Sequence, residues 1–378
     1  MHNSKTRMKI EIFLWGKIKM IKVLIVGLTN QMGGTENYIY NLIRRMDLKS
    51  FYFDFLIVDD GGRTPYENEI NTLFNDGNNH FFYCPNLKKQ YIIGNKWLID
   101  FYNKNRYDLI YMNATTAAKT AYCRYAIGKL KIPLISHSHR SDGRRLNHTL
   151  YKRYTCSHSI FKLACSRNAA DWMYGRKEQN VTIISNGIDT ERFKYSESNR
   201  KDVREELGFS KNDIVIGHVG RFSEEKNHRF LLDLCSCLDE KYKFLCIGDG
   251  PLKDDIVDLI EKKELKNRFI TLSVRKDIHI FYSAMDIFAM PSFNEGLPIV
   301  SVEAQCSGLR CIFSNTVSAE TNLSGRCLYL PINDLNAWIH EIKLIDYNRY
   351  DGAEVIKRAG FDMSNSARLV ESLFKNVI

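Results

Sequence analysis

The chain has 378 residues, of which 44% are hydrophobic and 12% aromatic. This composition excludes a disordered protein, and the length is sufficient for two domains. The formal net charge of +10 favours anionic partners such as a nucleotide, a nucleic acid or an acidic membrane surface. Because no zinc-type cysteine spacing, helix-turn-helix pattern or RNA-binding strand signature accompanies this charge, we expect no nucleic-acid partner.

The cysteine pattern favours a reducing, cytoplasmic location. Most of the ten cysteines lie inside apolar runs, as small core residues do. No stretch approaches the length of a membrane-spanning helix. Met20 directly precedes the first predicted strand, so residues 1–19 are interpreted as an upstream extension or a misassigned start.

The first half of the chain alternates buried strands with helices, which predicts a parallel α/β sheet. The first strand, Ile21–Gly27, runs into a turn that contains Gly33 and Gly34. Thr35 is predicted to cap the helix that follows, Asn37–Met46. A glycine turn after the first strand is where such folds bind ligands, although taken alone the pair is more often an ordinary turn.

Two histidines stand out in this half. His137 and His139 lie at the end of the predicted strand Pro133–Ser138. A lone histidine is usually an ordinary core or surface residue, but the carboxyl end of a parallel strand is where ligands bind. The half closes with the N-G-I-D stretch that begins at Asn186, and the polar residues 194–206 are interpreted as a linker.

The second half begins with another buried strand, Ile214–Gly220, followed by Arg221 and Lys226. An arginine fork and a mobile lysine five residues apart, after a glycine at a strand end, are suited to holding a diphosphate. The alternative is a solvated charged loop between a strand and a helix.

The stretch Asp286–Ser314 predicts a strand, a loop, a helix and a second strand. Pro298 suits the first helical turn, and Gly308 lies where a helix ends. The unpaired N–H groups of this helix would attract a phosphate. Glu295 lies just before the helix and Glu303 two turns into it, so both carboxylates can accept hydrogen bonds from sugar hydroxyls in one pocket. Ribose, diphosphate and hexose follow one another in a nucleotide-sugar, which matches this arrangement.

Several motifs together resemble glycosyltransferase family 4, in particular its capsular and exopolysaccharide branch. They are P-S-x-x-E-G-x-P-x-x-x-x-E-A-x-x-x-G, G-R-x-x-x-x-K-N, H-S-H and N-G-I-D. The alternative for the first motif is an ordinary βαβ unit with two solvated glutamates. The resemblance implies a GT-B fold, with two Rossmann-like doubly wound α/β domains that face each other across a cleft. We expect an N-terminal acceptor-side domain over 1–195, a C-terminal nucleotide-sugar domain over 196–360, and a last helix, 361–378, that returns to the first domain.

The resemblance also implies roles for individual residues. The catalytic group comprises Glu295, His139, Arg221 and Lys226. Donor binding is assigned to Arg221, Lys226, Glu295, Gly296, Leu297, Pro298, Ile299, Glu303, Gly33 and Gly34. The acceptor side is assigned to His137 and Asn186. No metal and no other cofactor are expected, because the cationic pair and the helix N-terminus would hold the diphosphate.

The function implied is a retaining transfer of a sugar from a nucleotide-sugar, expected to be UDP-linked, to a glycan or polyprenyl-linked acceptor in bacterial surface polysaccharide synthesis. Arg140, Arg144, Arg145, Lys152 and Arg153 suggest that a cytoplasmic enzyme could contact the anionic inner face of the plasma membrane; an ordinary solvated face is the alternative. Two other functions stay open. One is a GT-B epimerase or phosphorylase, and the other is a sugar-nucleotide-binding protein without catalysis.

Overall fold

The structure, a computed structural model, describes residues 20–31, 33–58, 62–87, 89–140, 146–295 and 297–377. The chain divides into two compact units. Unit 1 ends at Ser185 and resumes at Ser366, and unit 2 runs from Asn186 to Asn365. The first division therefore lies upstream of the boundary at 195/196 that the sequence suggests.

Unit 1 is built on a parallel sheet with the strand order β3-β2-β1-β4-β5-β6-β7. The strands are Ile21–Val26 (β1), Phe51–Ile57 (β2), Phe81–Tyr83 (β3), Leu109–Ala114 (β4), Leu134–Ser138 (β5), Ser159–Ala164 (β6) and Thr182–Ile183 (β7). The α-helices are Gly34–Ile43 (α1), Glu67–Phe74 (α2), Tyr91–Lys104 (α3), Arg124–Gly128 (α4), Leu146–His158 (α5) and Arg167–Met173 (α6). A 3₁₀-helix, Ala117–Cys123, precedes α4.

Helix α1 begins three residues earlier than predicted. Its N-cap is Gly33 in extended conformation, and Thr35 is buried within the first turn, so the predicted capping role of Thr35 is wrong. Glu36 explains the early start. Its carboxylate accepts hydrogen bonds from the backbone N–H and the hydroxyl of Thr29, both at 2.9 Å, and so holds the preceding loop against the helix.

Unit 2 is built on a second parallel sheet with the strand order β10-β9-β8-β11-β12-β13. The strands are Ile214–Val219 (β8), Tyr242–Ile247 (β9), Phe269–Leu272 (β10), Ile287–Met290 (β11), Arg310–Ser314 (β12) and Cys327–Leu330 (β13). The α-helices are Thr190–Phe193 (α7), Glu197–Glu206 (α8), His228–Cys237 (α9), Lys253–Lys262 (α10), Ile278–Ala284 (α11), Ile299–Cys306 (α12), Leu335–Leu344 (α13) and Gly352–Arg358 (α14). Short 3₁₀-helices are formed by Glu224–Lys226 and Ala319–Thr321.

The last helix, Met363–Lys375 (α15), contains the second division of the chain. Its part in unit 1 packs on the sheet of that unit through Phe374, whose ring centre lies 5.8 Å from that of Phe51 and 5.2 Å from that of Tyr111. Among the helices that the structure describes, none is both long and apolar enough to cross a membrane.

Both sheets reverse their winding direction at an interior strand pair. In unit 1 the reversal falls between β1 and β4, and in unit 2 between β8 and β11. The loops that leave the carboxyl ends of such a pair turn to opposite faces and leave a crevice between them, where doubly wound folds bind ligands. The candidate residues of unit 2 follow these two strands.

Most of the polar residues 194–206, predicted to be a linker, instead form helix α8. The hydroxyl of Ser196 caps the helix by accepting from the N–H of Asn199 at 3.2 Å. On the inner face Arg204 is buried and donates to the Asp286 carboxylate at 3.1 Å. Asp286 also pairs with Arg200 at 2.7 Å and accepts the backbone N–H of Val215 at 2.7 Å. Asp286 and its partners Arg200, Arg204 and Val215, here called the Asp286 hub, anchor α8 to the start of β11.

Removing the buried guanidinium should destabilise unit 2. Arg204→Met keeps much of the apolar stem but removes the guanidinium donors to the carbonyls of Ser210 and Asp213 and one of the two arginines that pair with the Asp286 carboxylate. We expect the free energy of unfolding to fall by about 3 kcal/mol, measured by urea denaturation. Lys201→Met, an exposed change on the same helix, is the control and should alter it by less than about 0.5 kcal/mol. Equal stability of the two variants would contradict the role assigned to the hub.

Candidate active site

Two loops of unit 2 meet at the reversal between β8 and β11. The loop after β8 carries Lys226, and the loop after β11 carries Glu295. The backbone N–H of Phe293 donates to the carbonyl of Glu225 at 2.8 Å and joins the loops directly. The carbonyl of Glu295 accepts the N–H of Ser318 at 3.0 Å, so the glutamate backbone is also held from the other side.

Lys226 and Glu295 form an ion pair. Both side chains are largely sheltered, with 19% of the lysine and 12% of the glutamate side chain exposed. Burial lowers the pKa of Lys226, and the nearby charge of Glu225 opposes this effect. The structure therefore brings together two residues that the sequence assigned to one site, and it pairs them with each other.

Arg221 lies five residues before Lys226 in the chain but behaves differently. Its side chain is exposed and, within the described parts of the chain, has no hydrogen-bond or ion-pair partner. The guanidinium is thus available for an external anion, to which it can offer a rigid two-pronged set of donors.

Two buried histidines, His218 and His228, lie next to the loop after β8. They are not among the residues that the sequence motifs predict for the site. His218 donates from Nδ1 to the carbonyl of Ala289 at 2.8 Å, so its Nε2 carries a lone pair. His228 stacks on Phe222 with ring centres 3.9 Å apart and stands perpendicular to His218 at 4.8 Å. The recognisable signal was their position on either side of Arg221 and Lys226 in the H-V-G-R-F-S-E-E-K-N-H stretch.

Both histidines are uncharged at neutral pH. Burial, together with the positive charge of Lys226, lowers the pKa of His218 to about 4. Burial and the neighbouring His218 likewise lower the pKa of His228 to about 2. A Cβ on Gly220 would lie 3.0 Å from Nε2 of His218, so a larger residue at this position would require the imidazole ring to shift.

Helix α12 supplies the other side of the site. It begins at Ile299. Pro298 is its N-cap, in extended conformation, whereas the sequence predicts this proline in the first turn of the helix. The helix ends where expected, with Gly308 in the left-handed region at φ +74°. Leu297, Pro298 and Ile299 are half-buried. Gly296, predicted to bind the donor, lies outside the described residues.

Glu303 faces a hydrophobic environment with one strong donor. The buried hydroxyl of Tyr282 on α11 donates to its Oε2 at 2.8 Å. Burial raises the pKa of Glu303 to about 7, while this hydrogen bond and the charge of Arg192 act in the opposite direction. The carboxyl group is therefore close to half-ionised at neutral pH. No sequence motif predicts this contact between Tyr282 and Glu303.

In unit 1 the structure separates the two candidate histidines by burial. His137 is fully buried, and its Nδ1 is 2.7 Å from the hydroxyl of Tyr111. His139 is partly exposed at the carboxyl end of β5, and its Nε2 donates to the side-chain oxygen of Asn113 at 2.9 Å. The two rings lie 4.2 Å apart. His139 can therefore contact a substrate, whereas the buried His137 can only pack against the ring of His139.

The remaining candidates are placed as follows. A Cβ on Gly33 would lie 2.9 Å from the carboxylate of Glu36, whereas Gly34 is exposed with open space around it. Asn186 is half-buried at the start of unit 2 and not in unit 1. In the parts of the chain that the structure describes, no group of three or more His, Cys, Asp or Glu side chains is arranged to hold a metal ion.

Family models match both halves of the chain. Residues 32–192 match the model described as Glycosyltransferase Family 4, and residues 199–322 match the model described as Glycosyl transferases group 1. The second range contains Arg221, Lys226, Glu295 and Glu303. Residues 32–192 are therefore a glycosyltransferase family 4 domain, and residues 199–322 are a glycosyltransferase group 1 domain. It is an enzyme of the glycosyltransferase class, and the non-catalytic and epimerase alternatives are not favoured.

Relatives that cover most of this chain carry the names of glycosyltransferases. EpsF of Bacillus subtilis (strain 168), whose name assigns it to the glycosyltransferases, is 29% identical over 304 residues, which cover 77% of this chain and 78% of EpsF. An Escherichia coli protein named UDP-Gal:alpha-D-GlcNAc-diphosphoundecaprenol alpha-1,3-galactosyltransferase is 26% identical over 85% of this chain and 87% of its own length.

Solved structures show that the fold is GT-B. HepE of Anabaena, crystallised with UDP, superimposes with a TM-score of 0.71 and 19% identity over 94% of this chain and all of HepE. Sucrose-phosphate synthase of Thermosynechococcus elongatus superimposes with a TM-score of 0.75 and 15% identity over 94% of this chain and 99% of its own. The predicted pair of doubly wound α/β domains is confirmed.

Proposed function

We propose that this glycosyltransferase transfers a sugar from a UDP-sugar, with retention of configuration, to a lipid-linked glycan acceptor of a bacterial surface polysaccharide. The name of the Escherichia coli relative specifies a UDP-linked donor and an acceptor carried on diphosphoundecaprenol. HepE has been crystallised with UDP and with UDP-glucose. These two relatives support the chemical class of donor and acceptor.

The observation that carries the proposal is the meeting of the loops after β8 and β11. It sets an exposed guanidinium, Arg221, and a sheltered ammonium, Lys226, in one loop, and ties that loop to the one that leads to helix α12. Cations and helix N-terminal N–H groups together are suited to a diphosphate.

The reaction needs stabilisation of the leaving diphosphate. When the bond between the sugar and UDP breaks, negative charge grows on the diphosphate. Arg221 and Lys226 would offset this charge, and Lys226 would do so from a position largely withheld from water, where electrostatic interactions are strong. The same cations would serve in place of a metal ion, so we propose that no metal and no other cofactor take part.

The other groups orient the donor. Glu303 would accept hydrogen bonds from the ribose hydroxyls, and Glu295 from hydroxyls of the transferred sugar. His139 is proposed to contact the transferred sugar, and Asn113 would hold the imidazole ring of His139 through its Nε2. Holding the donor at both ends limits the positions that its reacting carbon can take.

Replacing Arg221 tests the diphosphate site. Arg221→Ala should weaken UDP binding by roughly ten- to a hundredfold, since charge-assisted hydrogen bonds contribute about 1.5–3 kcal/mol. Calorimetric titration with UDP measures the change. Arg229→Ala removes another exposed arginine, nearby in sequence on α9, and should bind UDP as the wild type does. If both variants bound UDP equally well, the diphosphate site would lie elsewhere.

The raised pKa of Glu303 predicts a pH dependence of donor binding. The carboxyl group is protonated below about pH 7, and only its ionised form can accept from two ribose hydroxyls. A UDP-sugar should therefore bind about tenfold more weakly at pH 6 than at pH 8, since affinity scales with the binding-competent fraction. The dissociation constant of the best-binding UDP-sugar, measured across this range, gives the profile.

Two variants separate Glu303 from other titrating groups. Glu303→Gln should bind weakly and without this pH dependence. Tyr282→Phe removes the hydrogen bond that lowers the pKa of Glu303, so the midpoint of the profile should move to higher pH. A wild-type profile retained in Glu303→Gln would show that another group titrates.

Unit 1 carries two exposed apolar helix beginnings suited to a membrane surface. Ile92 in the first turn of α3 is 82% exposed, with Tyr91 and Ile93 exposed beside it. Leu146 at the start of α5 is 88% exposed, and Leu150 one turn later is also exposed. Both helices follow strands of the parallel sheet, so their beginnings lie at the carboxyl edge, as His139 does.

Positive charges surround these apolar residues. Lys89, Lys96, Arg140 and Arg153 are exposed. Lys96 lies one turn beyond Ile92 on the same helical face. Of the other basic residues that the sequence pointed to, Lys152 donates to the carbonyl of Asp171 at 3.0 Å, and Arg144 and Arg145 lie outside the described residues. Apolar side chains combined with exposed cations fit the interface of an anionic bilayer. We therefore propose that these helix beginnings bring the enzyme to the membrane that carries its acceptor.

The double variant Ile92→Ser/Ile93→Ser tests this docking surface. Wild-type protein should sediment with phosphatidylglycerol vesicles and much less with phosphatidylcholine vesicles, and the double variant should remain largely in the supernatant. Leu344→Ser changes an equally exposed apolar residue of unit 2 and should sediment as the wild type does. Vesicle binding that is unchanged in the double variant, or absent in the wild type, would exclude these helix beginnings as a membrane-docking surface. A protein partner would then be the explanation for their exposed apolar residues.

A further inference from the structure

The pairing of Lys226 with Glu295 has consequences for what the donor site selects. The proposed function, on which this inference rests, assigns the two residues to neighbouring parts of one ligand. Lys226 serves the diphosphate and Glu295 the transferred sugar. In the structure each is the partner of the other. A ligand that takes one of them must leave the other with a new partner or with none.

We propose that Glu295 is a specificity-determining residue that favours the nucleotide-sugar over the free nucleoside diphosphate. A UDP-sugar supplies phosphate oxygens for Lys226 and hydroxyls for Glu295, so both members of the opened pair are satisfied. UDP satisfies only Lys226. Because Glu295 is largely sheltered from water, leaving its carboxylate without a partner is costly.

The unpaired carboxylate of Glu295 also weakens the binding of the product, UDP, directly. UDP brings negative charge to a loop in which Glu295 already stands, and like charges in a sheltered site repel strongly. The loop cannot easily carry Glu295 away, because its backbone is joined to Ser318 and to the loop of Lys226. UDP binding is therefore weakened twice, by the loss of the ion pair and by repulsion.

The same contact helps the enzyme to turn over. After transfer, the sugar and its hydroxyls leave with the acceptor. Glu295 then competes with the diphosphate of UDP for Lys226, and re-formation of the ion pair favours release of UDP. No covalent step is involved, and the ammonium of Lys226 changes partner while the phosphate oxygens return to water.

Binding of UDP to Glu295→Gln tests the inference. The amide is isosteric, can still hydrogen-bond sugar hydroxyls, and has no charge with which to hold Lys226. We expect Glu295→Gln to bind UDP about five- to tenfold more tightly than the wild type, as expected when one charge–charge contact is removed. It should bind the UDP-sugar no more tightly, and UDP should inhibit its transfer reaction correspondingly more strongly. Calorimetric titrations with UDP and with a panel of UDP-sugars measure the two affinities separately.

Two comparisons separate the ion pair from general electrostatics. Glu225→Gln removes an exposed carboxylate that acts on Lys226 at longer range, and it should change UDP affinity much less than Glu295→Gln does. In a Lys226→Met background the pair no longer exists, so the additional change Glu295→Gln should no longer strengthen UDP binding by the full factor. Thermal unfolding of each variant verifies that it is folded.

The outcomes distinguish this inference from the proposed function. If Glu295→Gln binds UDP as weakly as the wild type or more weakly, or if Glu225→Gln has the same effect, the competition for Lys226 is excluded while the donor site stands. If the wild-type enzyme binds neither UDP nor any UDP-sugar, the proposed function fails, and the inference fails with it.

Discussion

The reversal of winding between β8 and β11 is the constraint on which the donor side of this enzyme depends. Parallel strands that are adjacent in space but distant in sequence send their next loops to opposite faces of the sheet, and the carboxyl ends stay side by side. Glu295 is 69 residues from Lys226 in the chain, yet the two side chains meet because β11 lies next to β8. The Asp286 hub secures that neighbourhood by tying the start of β11 to the backbone of β8 and to the arginines of α8.

Local sequence predicted most helices and strands well. It also pointed to Lys226 and Glu295 as members of one site, and the structure brings these two residues together. The apolar runs gave the strands, and Gly308 marked the end of α12 because only glycine adopts its left-handed conformation easily. Prediction was weaker where local patterns have two physical explanations. The polar residues 194–206 have the composition of a linker, but Val203 and Arg204 supply a buried face, and this tertiary contact makes them a helix. Ser196 was the available signal, since a serine before a charged run is a good helix cap.

The contacts between elements were beyond the reach of motif reasoning. His137 and His139 alternate along the same strand end, and the pattern did not determine which one is accessible. The full burial of His137, whose Nδ1 lies against the hydroxyl of Tyr111, decides it. In the same way, Glu303 was recognised from its spacing, but its raised pKa depends on the apolar surroundings and on Tyr282, which lies 21 residues away in sequence. Such environments are properties of packing and have no signature in a single sequence.

The sheltered position of Lys226 raises a problem that Glu295 and the two histidines solve together. An ammonium withheld from water is costly without a partner, and burial accordingly lowers the pKa of Lys226. A second positive charge nearby would add repulsion, but His218 and His228 are buried and stay neutral. Glu295 provides the counter-charge that lets Lys226 stay protonated in this sheltered position. In the proposed function, the site holds a diphosphate for only part of each cycle and needs a substitute anion for the remainder. A carboxylate that also recognises the transferred sugar, as proposed for Glu295, can fill that role, because it is occupied elsewhere only while the intact donor is bound.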